Sequence, residues 1–303
     1  MVSIIQVLFD GVVFGSIVLL GAVGLSLLYG IGNFANFAHG ELLAVSAYVT
    51  YLLFVTVGLP FLLAAAVTVG LTALLGVGID RGILQIHRDS GSLTKLLVTV
   101  GVAFVLRSLI RIVWASEPRS YRLPLEQGTQ VLEGGIPLGI TTFRYDLFMT
   151  TDSLLVVGLG GACAGATHLF LTRTKMGVAM RATAANRSLS QVTGIDTDVV
   201  ARIAWALSAG LAAIGGIALA VSSGLLYPRM GFDILLLVFA AVILGGIGSP
   251  YGAMVGAYVI AIAQEASVLV PGVGARYRLA VAFVILFVVL LVKPTGIAGG
   301  SWS

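Results

Sequence analysis

Apolar runs of about twenty residues recur along most of the chain, and this pattern restricts the fold more than any other feature. Only 10% of the 303 residues are charged, whereas 58% are hydrophobic. A soluble domain usually has about a quarter of its residues charged, so this much apolar surface indicates a lipid environment. Each run is long enough to cross a bilayer as a helix. The sequence therefore predicts an all-α, polytopic helical membrane protein with broken helices.

Nine apolar segments are candidates for spans, and about eight to nine crossings are expected. Two of the segments are separated only by the Ser-Pro-Tyr of GGIGSPYG, so they are either two full spans or two half-helices. The chain is expected to form a single transmembrane domain over residues 1–303. The segments are 5–29, 40–58, 60–79, 94–115, 153–172, 200–226, 232–248, 252–270 and 277–293.

The distribution of Lys and Arg predicts the orientation in the cell membrane. The loops at 80–95 and 173–202, together with Lys293, carry more basic residues than the loops on the other side. The positive-inside rule makes the richer side cytoplasmic, which places the N-terminus outside and the C-terminus in the cytoplasm.

Two loops have their own patterns. Residues 116–151 are polar, and VLEGGIPLGITTF within them is typical of a small hairpin, so an external loop is expected there. Residues 173–198 are rich in Ala, Arg, Ser and Gln, and apolar residues at helical spacing predict a short amphipathic helix over 176–194. Gly194 is a natural end for that helix. We expect a cytoplasmic helix beside the membrane.

The stretch GIGNFANFAHGE, residues 30–41, places polar side chains between two apolar runs. Bare amide and carboxyl groups cost several kcal/mol in hydrocarbon unless they are paired. A broken helix that borders a solute pathway explains such a cluster. The alternative is an ordinary cytoplasmic turn in which Glu41 stabilises the start of the next helix. The candidate pathway residues are Asn33, Asn36, His39 and Glu41, and the candidate breaks are Gly30, Gly32 and Gly40.

A second glycine-rich interruption lies at ILGGIGSPYG, where helix breaks are expected at Gly245, Gly246 and Gly248. LGGIG there is similar to LYGIG at 28–32, which is either a faint internal repeat or chance similarity. Glu265 is the other intramembrane carboxylate, and it either bonds a neighbouring helix or joins the pathway. Arg107 and Arg111 are expected to extend towards the membrane surface.

Several chemistries have no signature in this sequence. GxxxxGK[ST], HExxH and GxSxG are all absent, so neither a catalytic residue nor an enzyme is predicted. One cysteine, Cys163, gives neither a disulfide nor a thiolate metal cluster, and neither cofactor nor metal is expected. No basic patch alternates with aromatic residues, so nucleic acid is not an expected partner.

Four motifs in order together resemble the branched-chain amino-acid permease family of ABC importers. The first is GLSLLYGIGNFANFAHGELLAVSAY, in which NFAHGE is the specific part and is similar to one permease of the family's pair. The others are TKMGVAMRATAANRSLSQVTGID, LAAIGGIAL and ILGGIGSPYGAMVGA. Together they extend over nearly the whole chain.

The resemblance implies a permease subunit that pairs with a second, related permease. It also implies two cytoplasmic ATP-binding subunits, an external substrate-binding protein and a surrounding lipid bilayer. Residues 173–198 would form the coupling loop that contacts an ATPase, with Arg181, Ala182, Ala184 and Gly194 matching the family pattern.

Three functions stay open from the sequence. The first is import of branched-chain or related amino acids, and the second is a same-family permease for urea, amides or small carboxylates. The third is a stand-alone secondary transporter or channel, for which Glu41, Glu265 and His39 would be the ion-coupling candidates.

Overall fold

The computed structural model describes residues 3–88, 90–123, 128–132, 135–138, 141–144, 146–269, 277–293 and 295–298. Most of these residues are helical. The helices are α1 Ile4–Gly32, α2 Ala38–Tyr51, α3 Phe61–Ile79, α4 Ser92–Trp114, α5 Thr151–Arg173, α6 Lys175–Ala185, α7 Arg187–Val192, α8 Thr197–Ser223, α9 Met230–Gly245, α10 Pro250–Ala266 and α11 Arg278–Val292. The strands are β1 Thr129–Leu132, β2 Gly135–Leu138, β3 Thr141–Arg144 and β4 Leu147–Met149.

The predicted all-α membrane fold is confirmed. Within the described ranges, seven helical segments are long and apolar enough to cross a bilayer, and α9 and α11 are apolar but shorter. Each predicted segment corresponds to one of these nine helices. With 16 residues, α9 is about 24 Å long, less than the hydrocarbon core of about 30 Å. The seven are Ile4–Gly32, Ala38–Thr56, Phe61–His87, Ser92–Trp114, Thr151–Arg173, Thr197–Ser223 and Pro250–Leu269.

Helix α1 lies at the centre of the bundle, and 89% of its most apolar window is buried. Helix α10 runs antiparallel to it, because Gly11 contacts Ile262 while Gly15 contacts Tyr258. The small residues let the two backbones approach closely, which is the usual way that helices associate in lipid. The Ser16 and Tyr258 hydroxyl oxygens are 3.2 Å apart and join the same two helices.

Helices α3, α4 and α5 surround this centre and turn large apolar side chains outwards. Only 28%, 28% and 17% of their apolar windows are buried. Outward Leu, Val and Phe side chains are unfavourable in water, so these faces suit lipid or another membrane subunit.

Residues 232–270 form two separate helices, of which the segment Pro250–Leu269 is long and apolar enough to cross a bilayer and α9 is shorter, so the choice between two full spans and two half-helices stays a prediction. Helices α9 and α10 form an antiparallel hairpin, in which a Cβ on Gly256 would lie only 2.1 Å from the carbonyl oxygen of Ala241. Ser249 begins α10, since its hydroxyl accepts a hydrogen bond from the Gly252 amide at 3.1 Å. Pro250 at the first helical position suits this start, because it has no amide proton to leave unpaired.

The predicted hairpin within 116–151 is present. Strands β2 and β3 pair antiparallel, and β1 pairs with β4 outside them. Residues 133–134 and 139–140, between these strands, lie outside the described residues. The loop is tied to the end of the bundle where α1 begins, since the Phe148 amide donates to the Gln6 side chain at 2.8 Å. Burial raises the pKa of the Tyr121 phenol, which donates to the Ala47 carbonyl at 2.9 Å.

The single helix predicted over 176–194 is wrong, because the structure has two short helices, α6 and α7. The division falls at Asn186, whose backbone is extended and whose side chain accepts a hydrogen bond from the Leu189 amide at 2.9 Å. Asn is a favoured N-cap residue, and here it starts a new helix. Gly194 ends the segment as expected, with a positive φ of 87°.

Candidate functional site

The stretch GIGNFANFAHGE folds back into the bundle. Helix α1 ends at Gly32, Asn33 adopts the left-handed conformation with φ 52°, and α2 does not begin until Ala38. The His39 ring nevertheless lies against the backbone of Gly21, 2.9 Å from its carbonyl oxygen. Gly21 is eleven residues before the end of α1, which is about 16 Å along the helix. Residues 33–37 therefore return through the bundle in a non-helical conformation.

Hydroxyl groups of α4 satisfy the backbone of this returning segment. The Ser92 hydroxyl donates to the Asn33 carbonyl at 2.8 Å, and the Phe37 amide donates to the Thr99 hydroxyl at 3.2 Å. The Asn36 side-chain oxygen accepts from the Ala38 amide at 3.0 Å. Non-helical backbone at membrane depth is tolerated only where such partners replace water.

His39 is fully buried and joins three helices. Because a carbonyl only accepts, the His39 Nε2 donates its proton to Gly21 of α1. Nδ1 is then the acceptor for the Ser208 hydroxyl of α8 at 3.2 Å. His39 thus connects the start of α2 to both α1 and α8.

Glu41 is 1% exposed and forms an ion pair with Arg107 of α4. The Arg107 Nε donates to Glu41 Oε1 at 3.1 Å, and its second guanidinium nitrogen contacts the same oxygen. The Arg107 guanidinium also lies 5.1 Å from the Phe232 ring centre. The expectation that Arg107 extends to the membrane surface is wrong, because a buried carboxylate is within its reach.

The two glycine-rich interruptions lie side by side. Helix α9 ends at Gly245, and Gly246 and Gly248 have positive φ values of 108° and 82°. The Gly248 backbone packs against Gly30 in the last turn of α1. Residues 295–298 return to this point, since the Ile297 amide donates to the Leu244 carbonyl at 2.8 Å. Both interruptions therefore mark one end of the bundle.

Four of the six proposed break glycines are helical. Gly30 and Gly32 form the last turn of α1, Gly245 is the last residue of α9, and Gly40 lies inside α2. Gly40 allows close packing instead, since a Cβ there would lie 2.4 Å from the Gly231 carbonyl oxygen. The breaks themselves fall at Asn33, Gly246 and Gly248.

A cavity of about 560 Å³, hereafter the vestibule, opens beside the two breaks. It is bounded by the end of α1, the start of α4, the α6–α7 junction and the α9–α10 turn. Asn33 is the one predicted pathway residue that lines it. The lining residues are Tyr29, Gly30, Ile31, Gly32, Asn33, Ser90, Gly91, Ser92, Lys95, Thr183, Ala184, Ala185, Asn186, Arg187, Ile247 and Gly248.

The other predicted pathway residues lie between helices. Asn36, His39 and Glu41 are at most 1% exposed in this conformation. Glu265 of α10 accepts hydrogen bonds from Arg278 of α11 at 3.1 Å. Of the two alternatives for Glu265, the geometry supports the contact with a neighbouring helix. A pathway role for these four side chains stays a prediction.

The predicted coupling residues sit at the vestibule end of the bundle. Arg181, Ala182 and Ala184 lie on α6, partly covered, and Ala184 lines the vestibule. Gly177 holds α6 tightly to the end of α5, since a Cβ there would lie 2.2 Å from the Phe170 carbonyl oxygen. Gly194 is exposed after α7.

Two sets of contacts at this site could not be predicted from the sequence. Ser92, Thr99 and Ser208 are single hydroxyls in apolar helices, where such residues are common. Arg88 contacts both Asp80 and Asp198, which are far apart in the sequence. Only the fold brings these partners together.

The fold and site together define a multi-pass membrane permease, in which interrupted helices meet at a polar cavity. The family model described as "Branched-chain amino acid transport system / permease component" matches residues 7–290. The chain belongs to this family.

Individual relatives match over nearly their full length. The high-affinity branched-chain amino acid transport system permease protein LivH of Escherichia coli K12 is 31% identical, over 97% of this chain and 95% of that protein. BraD of Pseudomonas aeruginosa, with the same description, is 28% identical over 97% and 95%. The solved PsaBC from Streptococcus pneumoniae in complex with Fab has a similar fold, with a TM-score of 0.51 and 12% identity over 94% of this chain and 91% of that chain.

The contact of Thr99 with the returning segment gives a direct stability test. Thr99→Val leaves the partly buried Phe37 amide without its hydroxyl partner and should lower the free energy of unfolding by about 1 kcal/mol. Thr99→Ser keeps the hydroxyl and should retain most of the stability. The measurement is the thermal unfolding midpoint of the purified protein in detergent.

Thr94→Val is the matched control, because Thr94 is exposed on the same helix. Equal midpoints for Thr99→Val and Thr94→Val would show that the hydroxyl does not hold the segment.

Proposed function

We propose that this chain is a transmembrane subunit of an ATP-driven importer of branched-chain amino acids. The observation that carries the proposal is the family match over residues 7–290. LivH and BraD, which match nearly end to end, are described as permeases for these solutes. Membership implies ATP-binding and substrate-binding components, and we propose a second related permease, two ATPases and an external binding protein.

The α6–α7 segment has the surface that an ATPase contact requires. Leu189 is 60% exposed and Val192 is 84% exposed, so α7 presents apolar side chains away from the bundle. Exposed apolar patches of this kind are typical of protein interfaces. The segment is also short, helical and anchored at both ends, so a push on it moves the helices to which it is attached.

Two contacts would transmit a movement of the α6–α7 segment to the bundle. The Gln191 side chain donates to the Thr197 hydroxyl at 3.0 Å, which links α7 to the start of α8. Arg88, after α3, contacts Asp198 in the first turn of α8 and is 3.3 Å from Asp80. Movement of the coupling segment would therefore reach α3 and α8 together. Rigid movement of packed helices is an established way to switch access.

Import should depend on the partner subunits. We expect the full complex in proteoliposomes, with loaded binding protein, to accumulate labelled leucine, isoleucine or valine only when ATP is supplied to the ATPases. Uptake of labelled urea, a short amide or a small carboxylate in place of these would favour the same-family alternative. ATP-independent flux by this chain alone would support the stand-alone secondary transporter and contradict the proposal.

Leu189→Asp is the variant that isolates the coupling surface. It places a charge in the proposed ATPase contact, and we expect uptake and substrate-stimulated ATP hydrolysis to fall about tenfold or more. Val131→Asp is the control, because Val131 is also exposed but lies on β1 at the opposite end. Equal activity of the two variants would remove α7 from the coupling contact.

Cys163 gives a simple test of orientation, since it is the only cysteine in the sequence. We propose that the vestibule end is cytoplasmic, because Arg88, Arg187 and Arg202 lie there and the positive-inside rule applies. In a Cys163→Ser background, a membrane-impermeant maleimide applied to whole cells should label Val131→Cys but not Val192→Cys. The reverse pattern would invert the proposed topology.

A further inference from the structure

A second, smaller cavity of about 150 Å³, hereafter the α4 cavity, lies along one face of α4. Its α4 residues follow the spacing i, i+3, i+4 and i+7, so they form one stripe on that helix. Phe37, just before α2, and Phe232, in the first turn of α9, close the other side. The cavity is lined by Phe37, Val100, Ala103, Phe104, Arg107 and Phe232.

Nearly all of the surface that lines the α4 cavity is apolar. Arg107 is the one charged residue among the lining side chains, and its guanidinium is paired with the buried Glu41. Phe104 is 62% exposed, so the cavity opens on the outer face of α4. Apolar cavities of this size stay dry and bind apolar guests. This chemistry favours a hydrocarbon chain as the occupant.

The stripe continues to Arg111, one turn beyond Arg107 and three residues before α4 ends at Trp114. Arg111 is exposed, and no ion pair joins it to another described residue. It lies nineteen residues beyond Ser92, which lines the vestibule, and this is about 28 Å along the helix. Because the hydrocarbon core is about 30 Å thick, Arg111 lies near the membrane surface opposite to the vestibule. Tryptophan, here Trp114, is typical of that level.

A second exposed arginine lies beside the same cavity. The Arg229 guanidinium is 6.0 Å from the centre of the Phe232 ring, which forms one cavity wall. Its side chain is 65% exposed and also forms an ion pair with Asp233 at 3.4 Å. Glu41 interacts electrostatically with Arg111 and Asp233, so the charges at this end lie together. Three arginines face two carboxylates, which leaves an excess of one positive charge: Arg107, Arg111, Arg229, Glu41 and Asp233.

We propose that the α4 cavity and the two exposed arginines form a binding site for an anionic phospholipid. One acyl chain would lie in the cavity against Phe37, Phe104 and Phe232. The lipid phosphate would accept hydrogen bonds from Arg111 and Arg229. This site does not depend on the proposed import function.

The spacing along α4 matches the depth of one lipid leaflet. Val100, at the deep end of the cavity, is eleven residues from Arg111, which is about 16 Å along the helix. Half of the hydrocarbon core is about 15 Å deep. An acyl chain whose phosphate is held at Arg111 would therefore reach Val100.

The charges select the headgroup. A guanidinium group can hold a phosphate through two parallel hydrogen bonds, and arginine is the residue best suited to this contact. The excess positive charge would repel the ammonium group of a zwitterionic headgroup. We therefore expect an anionic lipid such as phosphatidylglycerol to bind in preference to phosphatidylcholine.

Native mass spectrometry of the purified, delipidated full-length chain tests this site. In titrations with lipids of identical acyl chains, we expect phosphatidylglycerol to bind about tenfold or more tightly than phosphatidylcholine. Arg111→Gln with Arg229→Gln should weaken phosphatidylglycerol binding about tenfold or more and remove the preference between headgroups. Arg122→Gln is the matched control, because Arg122 is also exposed and follows the same end of α4.

Phe104→Ala tests the acyl-chain part of the site and leaves both arginines in place. We expect the affinities for both lipids to fall several-fold, because the chain loses an apolar wall. Leu109→Ala is the control, since Leu109 is 51% exposed on α4 but lies outside the stripe. Equal losses in the two variants would contradict a chain bound in the α4 cavity.

Equal affinity for the two lipids in the wild-type chain, or phosphatidylglycerol binding that the double arginine variant leaves unchanged, would overturn the proposal. The same titration on the assembled complex excludes the other occupant. Loss of the bound lipid when the partner subunits are present would show that the cavity is a contact between subunits, and this too would overturn the proposal.

Discussion

The structure depends on how a membrane protein satisfies backbone groups that are not in a helix. Residues 33–37 leave the end of α1 and return into the bundle, and hydrocarbon would make their bare amides and carbonyls very unfavourable. Hydroxyls of α4 and the Asn36 side chain supply the missing partners. His39 then fixes the start of α2 against α1 and α8. The polar motif is therefore a structural joint between four helices.

In the proposed function, this joint would lie between the ATPase contact and the solute route. Helix α8 begins just after α7 and runs beside the joint, where Ser208 meets His39. Its first turn is also held by Arg88, which contacts Asp80 at the end of α3. A displacement of α6 and α7 would therefore act on α8 and, through Arg88, on the end of α3. In the proposed function, a partner ATPase would supply this displacement.

Apolar run length was sufficient to predict the nine helices, because crossing a bilayer requires that length. The same reasoning located the polar stretch but mistook its glycines for the breaks. Gly40 lies within α2, and its role is close packing on Gly231. The partner of Glu41 was also missed, since Arg107 is 66 residues away and only the fold brings the two together. Local sequence patterns predict the positions of helices well, whereas contacts between side chains of different helices depend on how the helices pack.

The central claim is that residues after Asn33 turn back into the protein and do not form a solvated loop. Accessibility to a membrane-impermeant thiol reagent tests it most directly, with single cysteines introduced into a Cys163→Ser background in inverted membrane vesicles. The account predicts rapid labelling of Asn33→Cys, which is exposed, and little labelling of Ala38→Cys, which is fully buried five residues later. Equal, rapid labelling at both positions would contradict the folded-back segment and favour an ordinary turn.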